Sequence, residues 1–191
     1  MIIRARWRPN RLESGWTTSN DMTVITPKIR LETPSGDILP GRGFYQLEED
    51  ALYVQVGPFR RGHRFFSYLE APHVRMEFDK AGCLAFIEVS KPRRQWPVDD
   101  KFKLPGKALP ADVRWLDFRE NMKAPTLATS PRKQHLLLRF SKVEPSGCYY
   151  LANHVLIQTD SDNNLVAIWI TDIIDDLAGR EISAFRKGIR Q

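Results

Sequence analysis

The sequence predicts a mainly β fold, a β-rich α+β chain. Two tandem antiparallel β-meander repeats pack together with pseudo-two-fold symmetry, and a short C-terminal helix closes the chain. Three observations predict it. The stretch HVRMEFDKAGCLAFIEV, His73 to Val89, returns 81 residues later as HVLIQTDSDNNLVAIWI, His154 to Ile170, with five of seventeen positions identical. In both stretches apolar and polar residues alternate with the period of two that marks a half-buried strand: Val74, Met76 and Phe78 around Arg75 and Glu77, then Val155 and Ile157 around Gln158. Third, each alternation runs into a short turn and then another apolar run, Leu84 to Val89 and Leu165 to Ile170.

The two turns differ within physical type. In Asp79-Lys80-Ala81-Gly82 the aspartate can accept from amides two residues on, and Gly82 suits the positive φ that closes a hairpin. In Asp160-Ser161-Asp162-Asn163 the residue matching Gly82 is Asn163, the next best residue for that conformation. Upstream, ALYVQV (Ala51–Val56) aligns with HLLLRF (His135–Phe140) at an offset of 84, and Tyr68-Leu69 with Tyr150-Leu151 at 82. Loops that shorten while strands keep their length are the mark of a diverged duplication. The repeat cores are therefore 51–89 and 135–170. Around them the chain divides into 1–99, an N-terminal extension with the first repeat; 100–134, a Pro-rich connector; and 135–191, the second repeat with the helix.

Outside the repeats the signals are thinner. Residues 1–27 hold four arginines, Trp7, Trp16 and Val24-Ile25-Thr26, and are expected to add a strand or a clasp. In the connector, Val113 to Phe118 has strand composition and is expected to pair with one of the lobes. Thr171 or Asp172 is expected to cap the C-terminal helix, with Gly179 interrupting it before Glu181.

Composition sets limits. A chain of 191 residues with 42% hydrophobic residues can bury a sizeable core. Its longest apolar runs are far below the roughly 18 residues that span a bilayer. The arginine-rich N-terminus has no apolar stretch after it, so a cytoplasmic protein with no membrane contact is expected. Cys83 and Cys148 lack the paired spacing of a zinc or dithiol site and read as small apolar fillers.

The residues Asp50, Leu52, Tyr53 and Val54, followed by Val74, Asp79, Gly82, Leu84, Ile87 and Glu88, resemble a small bacterial β family of unknown function with the pattern D-x-L-Y-I … V-x-x-D-x-D-x-x-G-x-I-x-G-I-E-I. The second copy departs from it at Asn163 and Trp169. The resemblance implies a small β domain that sits beside toxin-like partners, hence an antitoxin- or immunity-like role in binding a protein partner.

The candidate chemistry is sparse. A formal charge of +6 suits an anionic partner. FRRGHRFFSY and KPRRQW interleave basic and aromatic residues, so Arg60, Arg61, Arg64, Arg93, Arg94 and Trp96 form an alternative single-stranded nucleic-acid edge. His73 and His154 hold matching places and are the one centre a metal-dependent enzyme would use, although a metal needs three or four ligands. Asp79 and Asp160 are explained by their turns, and Asp172, Asp175 and Asp176 by a helix start. Gly41-Arg42-Gly43 lacks the spacing of a phosphate loop, and no nucleophile motif occurs. No cofactor, catalytic residue or metal is expected, and a non-catalytic protein-binding module is the leading expectation.

Overall fold

The computed structural model describes residues 25–58 and 65–189. The N-terminal arginines and tryptophans and Arg60, Arg61 and Arg64 lie outside the described residues. In chain order the strands are β1 (Ile29–Glu32), β2 (Gly41–Gln46), β3 (Ala51–Val56), β4 (Ser67–Ala71), β5 (Val74–Phe78), β6 (Leu84–Val89), β7 (Leu109–Pro110) and β8 (Asp112–Trp115). They continue with β9 (Glu120–Asn121), β10 (Thr126–Thr129), β11 (Leu136–Arg139), β12 (Gly147–Ala152), β13 (Val155–Thr159), β14 (Leu165–Ile170) and β15 (Ile174–Asp175), before helix α1 (Arg180–Ile189).

The fold is mainly β, in three sheets. The first large sheet has the order β15-β2-β3-β6-β5-β4-β9 and the second β10-β11-β14-β13-β12-β7. Within each, three hairpin-linked strands form a meander, but the strand before them crosses over to lie beside the last: β3 pairs with β6, and β11 with β14. This Greek-key order corrects the expected plain meander. A run from β3 straight into β4 would need a tight turn, and the connection is instead long enough to cross the sheet.

The aligned residues hold corresponding places in the two ladders. Leu52 faces Val89 and Val54 faces Ile87, while Leu136 faces Ile170 and Leu138 faces Ile168. Both sheets carry a register shift just before the turn, at Glu77/Phe78 and at Gln158/Thr159. The turns close alike: the amides of Ala81 and Cys83 donate to Asp79 Oδ1 at 2.8 and 2.9 Å, and those of Asp162 and Asn164 donate to Asp160 Oδ1, both at 2.9 Å. Gly82 has φ 77° and Asn163 φ 60°.

The inner faces of both sheets fill one core, in which Leu52, Met76, Ile87, Leu136, Ile157 and Ile168 are fully buried. Gly41 and Gly43 belong to this packing. A Cβ on Gly41 would lie 2.4 Å from Ala152 Cβ, and one on Gly43 3.0 Å from Ile170 Cγ2. The glycine pair therefore lets β2 approach the opposite sheet.

The connector strand does not join either large sheet. β8 pairs antiparallel with β1, so the expected pairing with a lobe is corrected. This two-stranded ribbon rests on both hairpin turns: the amide of Trp115 donates to Gly82 O at 2.8 Å and that of Ile29 to Asn163 O at 2.9 Å, and Ile29 and Trp115 face each other in the ribbon. Only a strand with an apolar inner edge, here Ile29, Val113 and Trp115, can lie across the open end of the core, and all three are buried there.

The helix begins later than expected. Residues after Ile170 first form β15, parallel to β2, and the cap is the buried Asp176, which accepts from the amides of Arg180 at 2.9 Å and Ile182 at 3.0 Å. Gly179, at φ 62°, precedes the helix rather than interrupting it. Ile182 packs on Ala51, Tyr53 and Phe86 on the outer face of the first sheet. Arg186 clamps the helix there through two 2.7 Å hydrogen bonds to Glu49, which also accepts from Tyr53 Oη.

A Cβ on Gly82 would meet Trp115 O at 2.8 Å at a positive φ, so Gly82→Ala is expected to lower stability by at least about 1 kcal/mol in denaturant melts, while Asn163→Gly changes it by less. Arg186 holds the Glu49 carboxyl below its ordinary range, so the clamp is complete above the usual glutamate range and is lost as pH falls through the lowered value. Thermal melts of Glu49→Gln should lie below wild type at neutral pH, with the gap closing on acidification.

Candidate functional site

The described part of the basic edge, Arg93, Arg94 and Trp96, is engaged with the protein itself. Arg93 and Arg94 stand on a 3₁₀ turn, Arg93–Gln95, beside β15 and the β2–β3 hairpin. Arg93 Nη1 lies 2.6 Å from Asp175 Oδ1, and its guanidinium lies over the Tyr45 ring at 4.2 Å. Arg94 Nη1 lies 3.0 Å from Asp50 Oδ2, and Asp50 also accepts from Tyr45 Oη. Trp96 is only 2% exposed, sits edge-on to Tyr45 and donates its indole N–H to Lys91 O at 2.8 Å. It is core, so the expected stacking platform is corrected: a base cannot reach a ring whose faces and polar edge are already occupied.

The histidines hold corresponding turns in different sheets. His73, at φ 65°, forms the β4–β5 turn of the first sheet, and its carbonyl accepts from the Ser90 amide at 3.0 Å. His154 forms the corresponding turn of the second sheet, its carbonyl accepting from the Thr171 amide at 2.9 Å and its Nδ1 lying 3.1 Å from Asp172 Oδ2. The three acidic residues have separate tasks, Asp172 beside His154, Asp175 beside Arg93 and Asp176 at the helix cap. No grouping of His, Cys, Asp and Glu fit for a metal ion occurs among the described residues. Burial pushes both thiols, Cys83 and Cys148, up, away from nucleophilic character. On the outer face of the first sheet burial likewise raises Glu77 and Glu88, opposed by Arg75, whose Nε lies 2.6 Å from Glu77 Oε1.

What the fold does assemble is an apolar cleft of about 200 Å³ where the ribbon meets the second sheet. One wall is the segment Pro34–Leu39 after β1, the other β7 and β12, and Cys83 and Arg114 stand between them. The segment is a turn-rich sequence, yet its backbone is held at three points. The Ser35 amide donates to Asp112 Oδ2 at 3.1 Å, Leu39 O accepts from the Asn153 amide at 2.9 Å, and Pro40 O from the Gly57 amide at 2.7 Å. Arg114 is fixed as well, with its Nε 3.0 Å from Glu32 Oε2 and its Nη1 3.1 Å from Ala81 O.

The cleft therefore has a preset shape, and its mouth is greasy. Ile38 is 40% exposed and Leu39 47%. Sequence reasoning passed over this site because its parts lie far apart in the chain. The one local signal was Ile38-Leu39, an apolar pair inside the polar, Pro- and Gly-rich run Glu32–Gly43.

No family model matches the chain, and no curated protein matches it.

Trp96→Ala should cost about 3–5 kcal/mol in equilibrium unfolding, the usual loss for a buried aromatic. Arg94→Ala, which breaks an exposed ion pair, should stay within about 1 kcal/mol of wild type in the same assay.

Proposed function

We propose that the chain is a non-catalytic binding module for a protein partner, and that the cleft beside Ile38 and Leu39 receives one bulky apolar side chain of that partner. The observation that carries the reading is the exposure of Ile38 and Leu39 in the lining of a concavity whose backbone is fixed by hydrogen bonds. At about 200 Å³ the cleft is below the ~300–1,000 Å³ of sites that enclose small ligands, and is of a size for a single anchor residue. A preformed pocket spares the ordering cost that a mobile loop would add on binding. The likeness of Asp50–Val54 and Val74–Glu88 to a small bacterial β family supports a toxin-like partner and an antitoxin- or immunity-like role. The matching strand orders of the two sheets support a doubled ancestral unit whose halves cover each other's apolar faces.

The alternative, single-stranded nucleic acid on the Arg93–Trp96 edge, has less support. Its two described arginines face carboxylates, and its tryptophan is buried.

The test is affinity capture of the full chain from its own cells at high salt, followed by titration of the purified captured protein. A single stoichiometric partner is expected, with affinity reduced about tenfold or more by Leu39→Asp and by Ile38→Asp and unchanged by Leu177→Asp, a substitution at a site that is 74% exposed and outside the cleft. Binding that survives both cleft variants, with thermal melts unchanged, sinks the reading.

A further inference from the structure

At the β10–β11 edge of the second sheet, opposite the β12–β7 edge that walls the cleft, lies an open concavity of about 500 Å³ lined by Thr26, Lys123, Thr126, Arg139, Ser141 and Lys142, among others. Its described lining carries three cations and no carboxylate. We propose that it binds a compact phosphate-class anion, such as a pyrophosphate group, with Arg139 and Lys142 as the principal contacts.

Among the described residues no carboxylate pairs with these charges. Arg30, Arg75, Arg93, Arg94, Arg114 and Arg186 each stand within ion-pair distance of an aspartate or glutamate. Lys123, Arg139 and Lys142 take part in no ion pair among the described residues. Arg139 is half-buried and stands within ion-pair distance of no carboxylate among the described residues, so its planar fork is left to meet an anion in the concavity.

The backbone around the site is set in advance. At the end of β11 the amides of Phe140 and Ser141 both donate to Val166 O, at 2.8 and 3.2 Å. Two residues opposite one make a bulge, which bends the strand between Arg139 and Lys142, both of which line the concavity. Ser141 Oγ accepts from the Val143 amide at 3.2 Å, which fixes this loop and leaves the hydroxyl hydrogen to donate to a ligand. Across the concavity, the Met122 amide donates to Glu70 O at 2.6 Å and Ile25 bridges Met122, which positions Lys123.

The chemistry favours a phosphate group. A guanidinium fork matches two phosphate oxygens, two ammonium groups add charge, and hydroxyls of Thr26, Thr126 and Ser141 supply further donors. The volume is within the ~300–1,000 Å³ that small ligands occupy. A nucleic-acid strand is disfavoured, because Phe140, the one aromatic in the described lining, is 7% exposed and offers no face for stacking.

Calorimetric titration of the full chain with inorganic pyrophosphate, in a buffer free of other multivalent anions, tests the proposal. One saturable site is expected, weakening as sodium chloride rises, with affinity down about tenfold in Arg139→Ala and in Lys142→Ala and unchanged in Arg132→Ala, an exposed cation outside the concavity. Thermal melts accompany each variant, and the exposed Lys142 and Lys123 carry the test if Arg139→Ala fails to fold. Absence of saturable heat, an equal loss in Arg132→Ala, or binding of an oligothymidylate that pyrophosphate does not displace would overturn it. The result is independent of whether a protein occupies the apolar cleft.

Discussion

The structure depends on the contact between two inner sheet faces that neither sheet can leave in water. Each face is a continuous apolar surface, and burying it is the main favourable contribution to folding. The contact is closest where Gly41 and Gly43 of β2 meet Ala152 and Ile170, so residues with no side chain on one sheet face small or branched residues on the other. The remaining features are arranged around this packing. The end of the core is closed by the β1–β8 ribbon, and the outer faces are covered separately, the first by α1 and the second by the connector, where Phe102 packs edge-on against Trp169 at 5.3 Å. The cleft beside Ile38 and Leu39 lies at the margin of that closure, in the place where ribbon, β7 and β12 meet without filling the gap.

Charge is distributed by the same packing. An excess of basic residues suggests a large anionic partner, but many of the described arginines are engaged inside the fold: Arg93 ties the 3₁₀ turn to β15, Arg186 ties α1 to the first sheet, and Arg114 ties the ribbon together and reaches Ala81. Such contacts at partly exposed positions contribute orientation more than free energy. Net charge was therefore a poor guide to the binding surface. What distinguishes Arg139 from these residues is that no carboxylate among the described residues pairs with it, a property that only three-dimensional placement reveals.

The hairpins were legible because their determinants are local. Asp79 and Asp160 accept from amides two and four residues on, and Gly82 and Asn163 take the left-handed conformation, as residue type alone dictates. The order of strands was not legible, since the alternation in Leu52–Val56 is satisfied equally by pairing with β4 or with β6. The strand near Val113 was visible, but its partner Ile29–Glu32 lies in a stretch with no distinct periodicity, and the choice of partner rests on which edge remained open. Trp96 beside two arginines looked like a stacking surface because sequence proximity to charge says nothing about which way a ring turns. The late helix start has a similar origin: Thr171 and Asp176 are both good caps by type, and pairing of Ile174 with Phe44 in β15 decides between them.

The ribbon also governs the order in which a nascent chain can be completed. β1 is among the first strands to be made, yet its partner lies beyond residue 111, and its contact with Asn163 needs still later residues. The first sheet waits likewise for its margins, since β9 comes from the connector and β15 and α1 from the C-terminal end. Translation from one end to the other thus leaves β1 unpaired until Trp115 has been made, and without its contact to Asn163 until most of the polypeptide has followed. The contact between the two inner faces is completed only once β14 has been made, well after β2 to β6 can pair among themselves.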